Sequence, residues 1–199
     1  MLSMGRATHR CESYRAEALV SARMTGTQTG VRIALAAEGS ANVATGLPVL
    51  DHLISELART ARFKVSLEVA PESTDEAVAA AGRAFGTELK HRLERGAGSG
   101  WALVPAAEAL ASAALEYGAE PRLVTNVDFS GQRVGGLATD VASRFLKELA
   151  EGARVNLHVR LLEGTDPQHV LTAIFKAVGA ALGQACRPAP AASPDEEVS

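Results

Sequence analysis

Aromatic side chains make up only 4% of this 199-residue chain, and there is a single Trp. A core built on large rings is therefore excluded, and Ala, Leu and Val must supply the buried surface by packing closely. Cysteine is nearly absent. Cys11 and Cys186 stand towards opposite ends, which makes no disulfide framework and suits a reducing compartment. No apolar run approaches the roughly 18 residues of a membrane span. The first residues mix charge, Ser and Gly without the apolar centre of a secretory signal. Neither sign of charge is in excess: 20 basic against 23 acidic residues leave a formal net charge of −3. Nucleic acid and anionic membranes are thus not expected partners. What remains is a cytoplasmic protein, long enough for one medium domain or two small ones sharing a core.

The chain does contain a duplication. Glu56 to Val69 reads ELARTARFKVSLEV and, 92 residues on, Glu148 to Leu161 reads ELAEGARVNLHVRL. Each copy runs into an Ala-rich helical stretch with a Gly-x-x-x-Gly step, Gly82 to Gly86 and Gly179 to Gly183. A fixed period of this kind indicates one supersecondary unit written twice and packed against its copy. Any site is then expected where two units, or two subunits, meet.

Taken in order, Ala16–Arg23 and Val31–Ala36 read as strands of a hairpin, and Asn42–Thr45 as a third short strand. Pro48 opens a helix with Asp51 in its first turns, and Val49, Leu50, Leu53, Ile54, Leu57 and Ala61 form its apolar stripe. Phe63–Ala70 is a strand. Ser73 or Thr74 caps a long helix to about Arg95, and Gly96–Gly100 marks the joint. Beyond it come strands at Trp101–Val104, Ser112–Tyr117 and Arg122–Asp128, with Pro105–Leu110 readable either way. A helix over Leu137–Gly152, a strand over Ala153–Leu162 and a helix over Pro167–Cys186 complete the pattern. The reading is an α+β duplicate with units at 15–95 and 96–186, each a small sheet with helices on one face. Tails at 1–14 and 187–199 are expected to be disordered.

TGLPVLDH, from Thr45, resembles the TG(I/V)xFxDHM signature of imidazoleglycerol-phosphate dehydratases, enzymes of histidine biosynthesis. VGGLATDVASRFLKELAEGARVNLHVRLLEGTDPQHVLTAIFKA is similar to their second-half block, in which glycine is followed by HHxxEAxFKA. The resemblance runs from about Tyr14 to Cys186. It implies a duplicated fold of ribosomal protein S5 domain 2-like units, assembled as a shell of twenty-four subunits. It also implies a two-manganese site shared between subunits, with imidazole and carboxylate ligands suited to such cations.

Carried over residue by residue, much of that ligand set is replaced. His52 stands in the Asp-His signature, but the His expected nine positions after that Asp is Thr60. The first HHxxE corresponds to Pro71, Glu72 and Asp75, and the second to Gln168, His169 and Thr172. Arg144 is the second-half counterpart of His52. The metal candidates are therefore His52, His169, Asp75 and Glu72. Each has a plainer reading: His52 as a half-buried structural histidine, Glu72 and Asp75 as charges at a helix start. At the catalytic positions the resemblance leaves Glu108, in the segment matching PMDEAL, and Gln28, an amide where the family carries a proton-moving Glu. The phosphate-binding arginines near GIRRFG and SGRP have no match in GAGSGW and YGAEP. Lys176, in FKA, is left to hold a phosphate or to be a solvated lysine.

The expectation is a family member with an eroded dimanganese ligand set, acting as a pseudoenzyme or as a paralogous subunit. The alternatives are an active dehydratase with a rebuilt site, and a ligand-binding or scaffold protein that keeps the shell-forming surface. Expected partners are further copies of itself or an active paralogue, and a phosphorylated small molecule.

Overall fold

A computed structural model describes residues 29–69, 73–128, 133–135 and 137–188. The expected strand Ala16–Arg23, the tail at 1–14, residues 189–199 of the tail expected at 187–199, and the candidates Gln28 and Glu72 lie outside the described residues, whereas Arg187 is described and bonds the Ala61 carbonyl oxygen.

The first half runs β1 (Gly30–Leu35), β2 (Ser40–Ala44), α1 (Pro48–Ala61), β3 (Phe63–Glu68) and α2 (Thr74–Arg95). The second runs β4 (Ser99–Ala106), β5 (Ala109–Tyr117), β6 (Arg122–Thr125), a short ribbon β7 (Arg133–Val134) and β8 (Leu137–Ala138), α3 (Thr139–Ala153), β9 (Val155–Glu163) and α4 (Pro167–Ala185). The sheets are ordered β1-β3-β2 and β4-β5-β9-β6. In each, the strand after the first helix is central. β3 pairs antiparallel with β1 and parallel with β2, as β9 does with β5 and β6. Ile33 faces Val65 as Leu115 faces Leu157, so the register repeats as well as the topology. Period-two burial follows: Phe63, Val65 and Leu67 are buried in β3, and Val155, Leu157 and Val159 in β9.

The repeated ELAxxAR segment has a local cause. α1 ends at Arg62 (φ 55°) and α3 at Arg154 (φ 58°), both left-handed. Each donates its backbone N–H back to the last turn, to Ala58 and Arg59 in one copy and Ala150 and Glu151 in the other. This turns the chain directly into the central strand. An Arg in this conformation costs about 1 kcal/mol relative to Gly, and both copies carry it.

The glycine steps reach across the duplication. A Cβ on Gly86 would lie 2.3 Å from the Leu149 carbonyl oxygen, and one on Gly82 2.6 Å from that of Phe145, so α2 packs on α3. Likewise Gly179 and Gly183 would meet the carbonyl oxygens of Leu57 at 2.3 Å and Ala61 at 2.6 Å, packing α4 on α1. Each unit's second helix thus seats on the other unit's first helix, and one hydrophobic core runs through both. Three of the few aromatics sit where those pairs meet: Phe145 stacks on Phe175 at 5.9 Å and takes Phe85 edge-on at 6.1 Å.

Backbone on the far side of these glycines cannot yield as a flexible side chain would. Gly86→Ala and Gly179→Ala are each expected to lower unfolding free energy by about 1–3 kcal/mol, measured by urea denaturation of the full chain. Gly30→Ala, with nothing within 4 Å of the added carbon, should leave stability unchanged or slightly raised.

Candidate functional site

Two surfaces gather the chemistry-bearing residues, and both lie at the start of α4. The first surrounds the β4–β5 turn, Ala107–Glu108, where Ala107 adopts φ 49°. Asp166 caps α4, its carboxylate accepting from the backbone N–H of Gln168 (2.8 Å) and His169 (3.2 Å). Glu108 reaches over from the turn and accepts the Asp166 backbone N–H at 3.0 Å, while its other oxygen meets His169 Nδ1. Two turns along α4, Lys176 Nζ donates to the Pro105 carbonyl oxygen at 3.0 Å. His169 thus meets Glu108 at the hairpin tip, and Lys176 holds the same hairpin through Pro105. The Asp166 N–H is the main reason that the Glu108 carboxyl is held down to about 2, with its own backbone N–H and then His169 adding to it.

The second surface is a cavity of about 280 Å³ between α1, α4 and β7. Val49, Leu53, Val134 and Leu171 form its apolar walls, and His52, Gln168 and Thr172 its polar ones. Thr172 Oγ1 donates to the Gln168 carbonyl oxygen at 2.8 Å. The Asp preceding His52 has a task of its own: Asp51 Oδ1 accepts from Thr45 N (3.0 Å) and Thr45 Oγ1 (2.5 Å), fixing the loop that leads into α1. That pairing gives the Thr and Asp of TGLPVLDH a shared physical role beyond the place of Asp51 in the first turns of the helix. Within one chain, His52 borders the cavity and His169 turns away from it to Glu108.

The duplication supplies an equivalent position between α2 and α3. Arg144 stands 92 residues after His52, and Asp75 precedes Thr172 by 97, the offset of the glycine steps. There Arg144 Nη1 meets Asp75 Oδ1 at 3.1 Å, with both side chains largely exposed. Among the described residues no group of three or more His, Cys, Asp or Glu side chains is placed to hold a metal ion. Nor is any described helix long and apolar enough to cross a membrane.

A duplicated α+β fold with its polar residues where one unit's helix meets the other's defines the class of protein. The sequence profile of imidazoleglycerol-phosphate dehydratase matches residues 45–182. The chain is 33% identical to the imidazoleglycerol-phosphate dehydratase of Pelobacter propionicus, over 80% of this chain and 86% of the relative. It is 34% identical to that of Desulfitobacterium hafniense, over 87% and 92%. Among solved structures, imidazoleglycerol-phosphate dehydratase from Staphylococcus aureus superposes with a TM-score of 0.74 at 24% identity, covering 81% of this chain and 95% of its own. The Pyrococcus furiosus structure gives 0.71 at 22% identity, covering 83% and 93%. The chain belongs to the imidazoleglycerol-phosphate dehydratase family.

The Glu108 contacts carry a sign. A carboxyl held below its ordinary value of 4.5, at about 2, stabilises the fold fully above about pH 4.5 and loses that contribution as pH falls towards 2. Glu108→Gln should therefore flatten the acid limb of the stability–pH curve across that window and leave its shape near neutrality unchanged. Carboxyl NMR titration of Glu108, with thermal melts from pH 2 to 7, checks this.

Proposed function

We propose that the chain is a cytoplasmic member of the histidine-biosynthesis dehydratase family that has kept the fold and not the dimetal chemistry. It would act as a pseudoenzyme or as a paralogous subunit in a homo- or hetero-oligomeric shell. The observation that carries this reading is the pair of equivalent positions. Between α1 and α4 an imidazole faces an amide and a hydroxyl, His52 with Gln168 and Thr172. Between α2 and α3 a guanidinium faces a carboxylate, Arg144 with Asp75. A divalent manganese ion wants imidazole and carboxylate oxygen donors. An amide and an uncharged hydroxyl do not neutralise it, and a guanidinium repels it. The donors described in this chain do not fit two such ions, and no step is assigned to them. Gln28, at the family's Glu position, is an amide that takes up no proton at neutral pH. Glu108 is a poor substitute as general base, because its N–H and His169 contacts lower its basicity. Lys176 keeps two further N–H donors beside its bond to Pro105, enough to meet a phosphorylated small molecule as a point charge.

The second reading, an active dehydratase with a rebuilt site, is favoured by the names of the relatives, which match over most of the chain at 33–34% identity. One preparation separates the two. Protein purified with manganese present and then desalted is expected to retain less than one ion per chain by elemental analysis, and to show no turnover of imidazoleglycerol phosphate. Two retained ions together with turnover would establish the active reading. Size analysis, alone and mixed with an authentic dehydratase, is expected to give a large assembly; a monomer in both would remove the subunit role.

A further inference from the structure

The outer face of the β4-β5-β9-β6 sheet carries apolar surface that no described residue covers. Along β4, Ala102 is buried, while Trp101 and Leu103 alternate with it to the other side, 70% and 51% exposed, and exposed Pro105 follows them. The register carries this stripe across the sheet. Trp101 stands in a row with Ala114 and His158, and Leu103 in a row with Ser112 and Arg160, with exposed Leu162 two residues further along β9. We propose that residues 188–199 of the same chain dock on this face, prolines on Trp101 and the acidic run Asp195, Glu196 and Glu197 against Arg160 and His158. The described metal candidates His52, Asp75 and His169 belong to helices and not to this sheet, so the proposal stands apart from the dimetal reading.

The place where the chain leaves the fold argues for this occupant. The Arg187 carbonyl accepts the Ala97 N–H at 2.8 Å and that of Ala185 the Gly98 N–H at 3.1 Å, so the end of α4 is stitched to the residues that lead into β4. Pro188 therefore departs within a few residues of Trp101. Pro188, Pro190 and Pro194 favour extended polyproline geometry, which docks on exposed aromatic rings. From Pro188 to Pro194 that geometry covers about 19 Å, and β4 covers about 20 Å from Ala97 to Leu103. The acidic run then falls level with Leu103 and with Arg160 in the same row, two strand spacings or about 10 Å across. The edge of β4 offers no competing mode. The Trp101 N–H donates to Gln184 Oε1 at 3.2 Å, Pro105 has no N–H, and its carbonyl oxygen accepts Lys176 at 3.0 Å, which leaves too little ladder for an added strand. The carboxylates of the face stand at its two ends, Glu116 in the row of Ser99 and Glu163 opposite Leu110 in the row of Pro105. His158 and Arg160 in the middle rows are left as the cationic partners. Because segment and face are tethered, an effective concentration on the order of millimolar lets a weak contact hold.

Trp101 is the single Trp of the chain, so its fluorescence reads this face alone. The full chain is expected to emit at shorter wavelength and to resist acrylamide quenching. A chain stopped after Arg187 should emit red-shifted and quench more strongly, with its circular dichroism unchanged. A synthetic peptide of residues 188–199, added to the shortened chain at a concentration on the order of millimolar, should restore the full-chain signal. Arg160→Glu should weaken that peptide about fivefold, the scale of an exposed ion pair, and Glu196→Lys in the peptide should recover the loss. Should shortening unfold the chain, the same charge swap made in the full chain and read by quenching decides. The proposal is overturned if full and shortened chains share one emission maximum and one quenching constant, or if the charge swap changes nothing. Protection that survives shortening assigns the face to a second copy where dilution removes it, and to residues 1–28 where it does not; either result also overturns the proposal.

Discussion

Helix backbones in contact across the duplication are the constraint on which the structure depends. Gly82 and Gly86 lie against the carbonyls of α3, and Gly179 and Gly183 against those of α1, at distances that admit no Cβ. Because each pair joins a helix of one unit to a helix of the other, neither unit can bury its helices alone. The same approach explains why a chain with so few aromatics builds a continuous core. Close backbones let Ala and Leu side chains fill the layer between the sheets, with Phe85, Phe145 and Phe175 bridging the two helix pairs.

That constraint fixes the helix interiors and leaves their first turns free to change. The residues at which the family resemblance expects metal ligands sit in or near those turns: Asp75 on α2, and Gln168, His169 and Thr172 on α4. They are polar, partly exposed and away from the glycine contacts, so replacing them costs the fold little. His169 illustrates the outcome. Its Nδ1 meets Glu108, which also accepts the backbone N–H of Asp166, so a residue expected from the resemblance to be a candidate ligand secures the β4–β5 turn.

Elements with a strong period were legible. The apolar stripe of α1, the alternation of β3 and β9 and the long helices α2 and α4 stand close to their expected limits. Less regular stretches were not. Pro105–Leu110 holds the end of β4, the Ala107–Glu108 turn and the start of β5, but the left-handed position belongs to Ala107 and not to Gly or Asn, so the usual residue signal was missing. The strand expected to reach Asp128 ends at Thr125, where Asn126 exchanges side-chain hydrogen bonds with the Leu161 backbone in place of the ladder. Leu137 and Ala138, read as helix, pair instead with Arg133 and Val134. At the site, the sequence identified Glu108, His169 and Lys176 as candidates, but not that Glu108 meets His169 or that Lys176 reaches Pro105 of the same hairpin. Their meeting depends on a hairpin folding back about sixty residues onto α4, which no local pattern encodes.

The central claim is that the scaffold persists and only the donors at its helix starts have changed. Cobalt(II) titration followed by visible absorption tests it most directly, comparing the parent chain with a Gln168→His/Thr172→Glu double variant. The account predicts a saturable ligand-field band in the variant, where two new donors join His52, and none in the parent. A parent chain that develops the same band at the same cobalt concentration would contradict it.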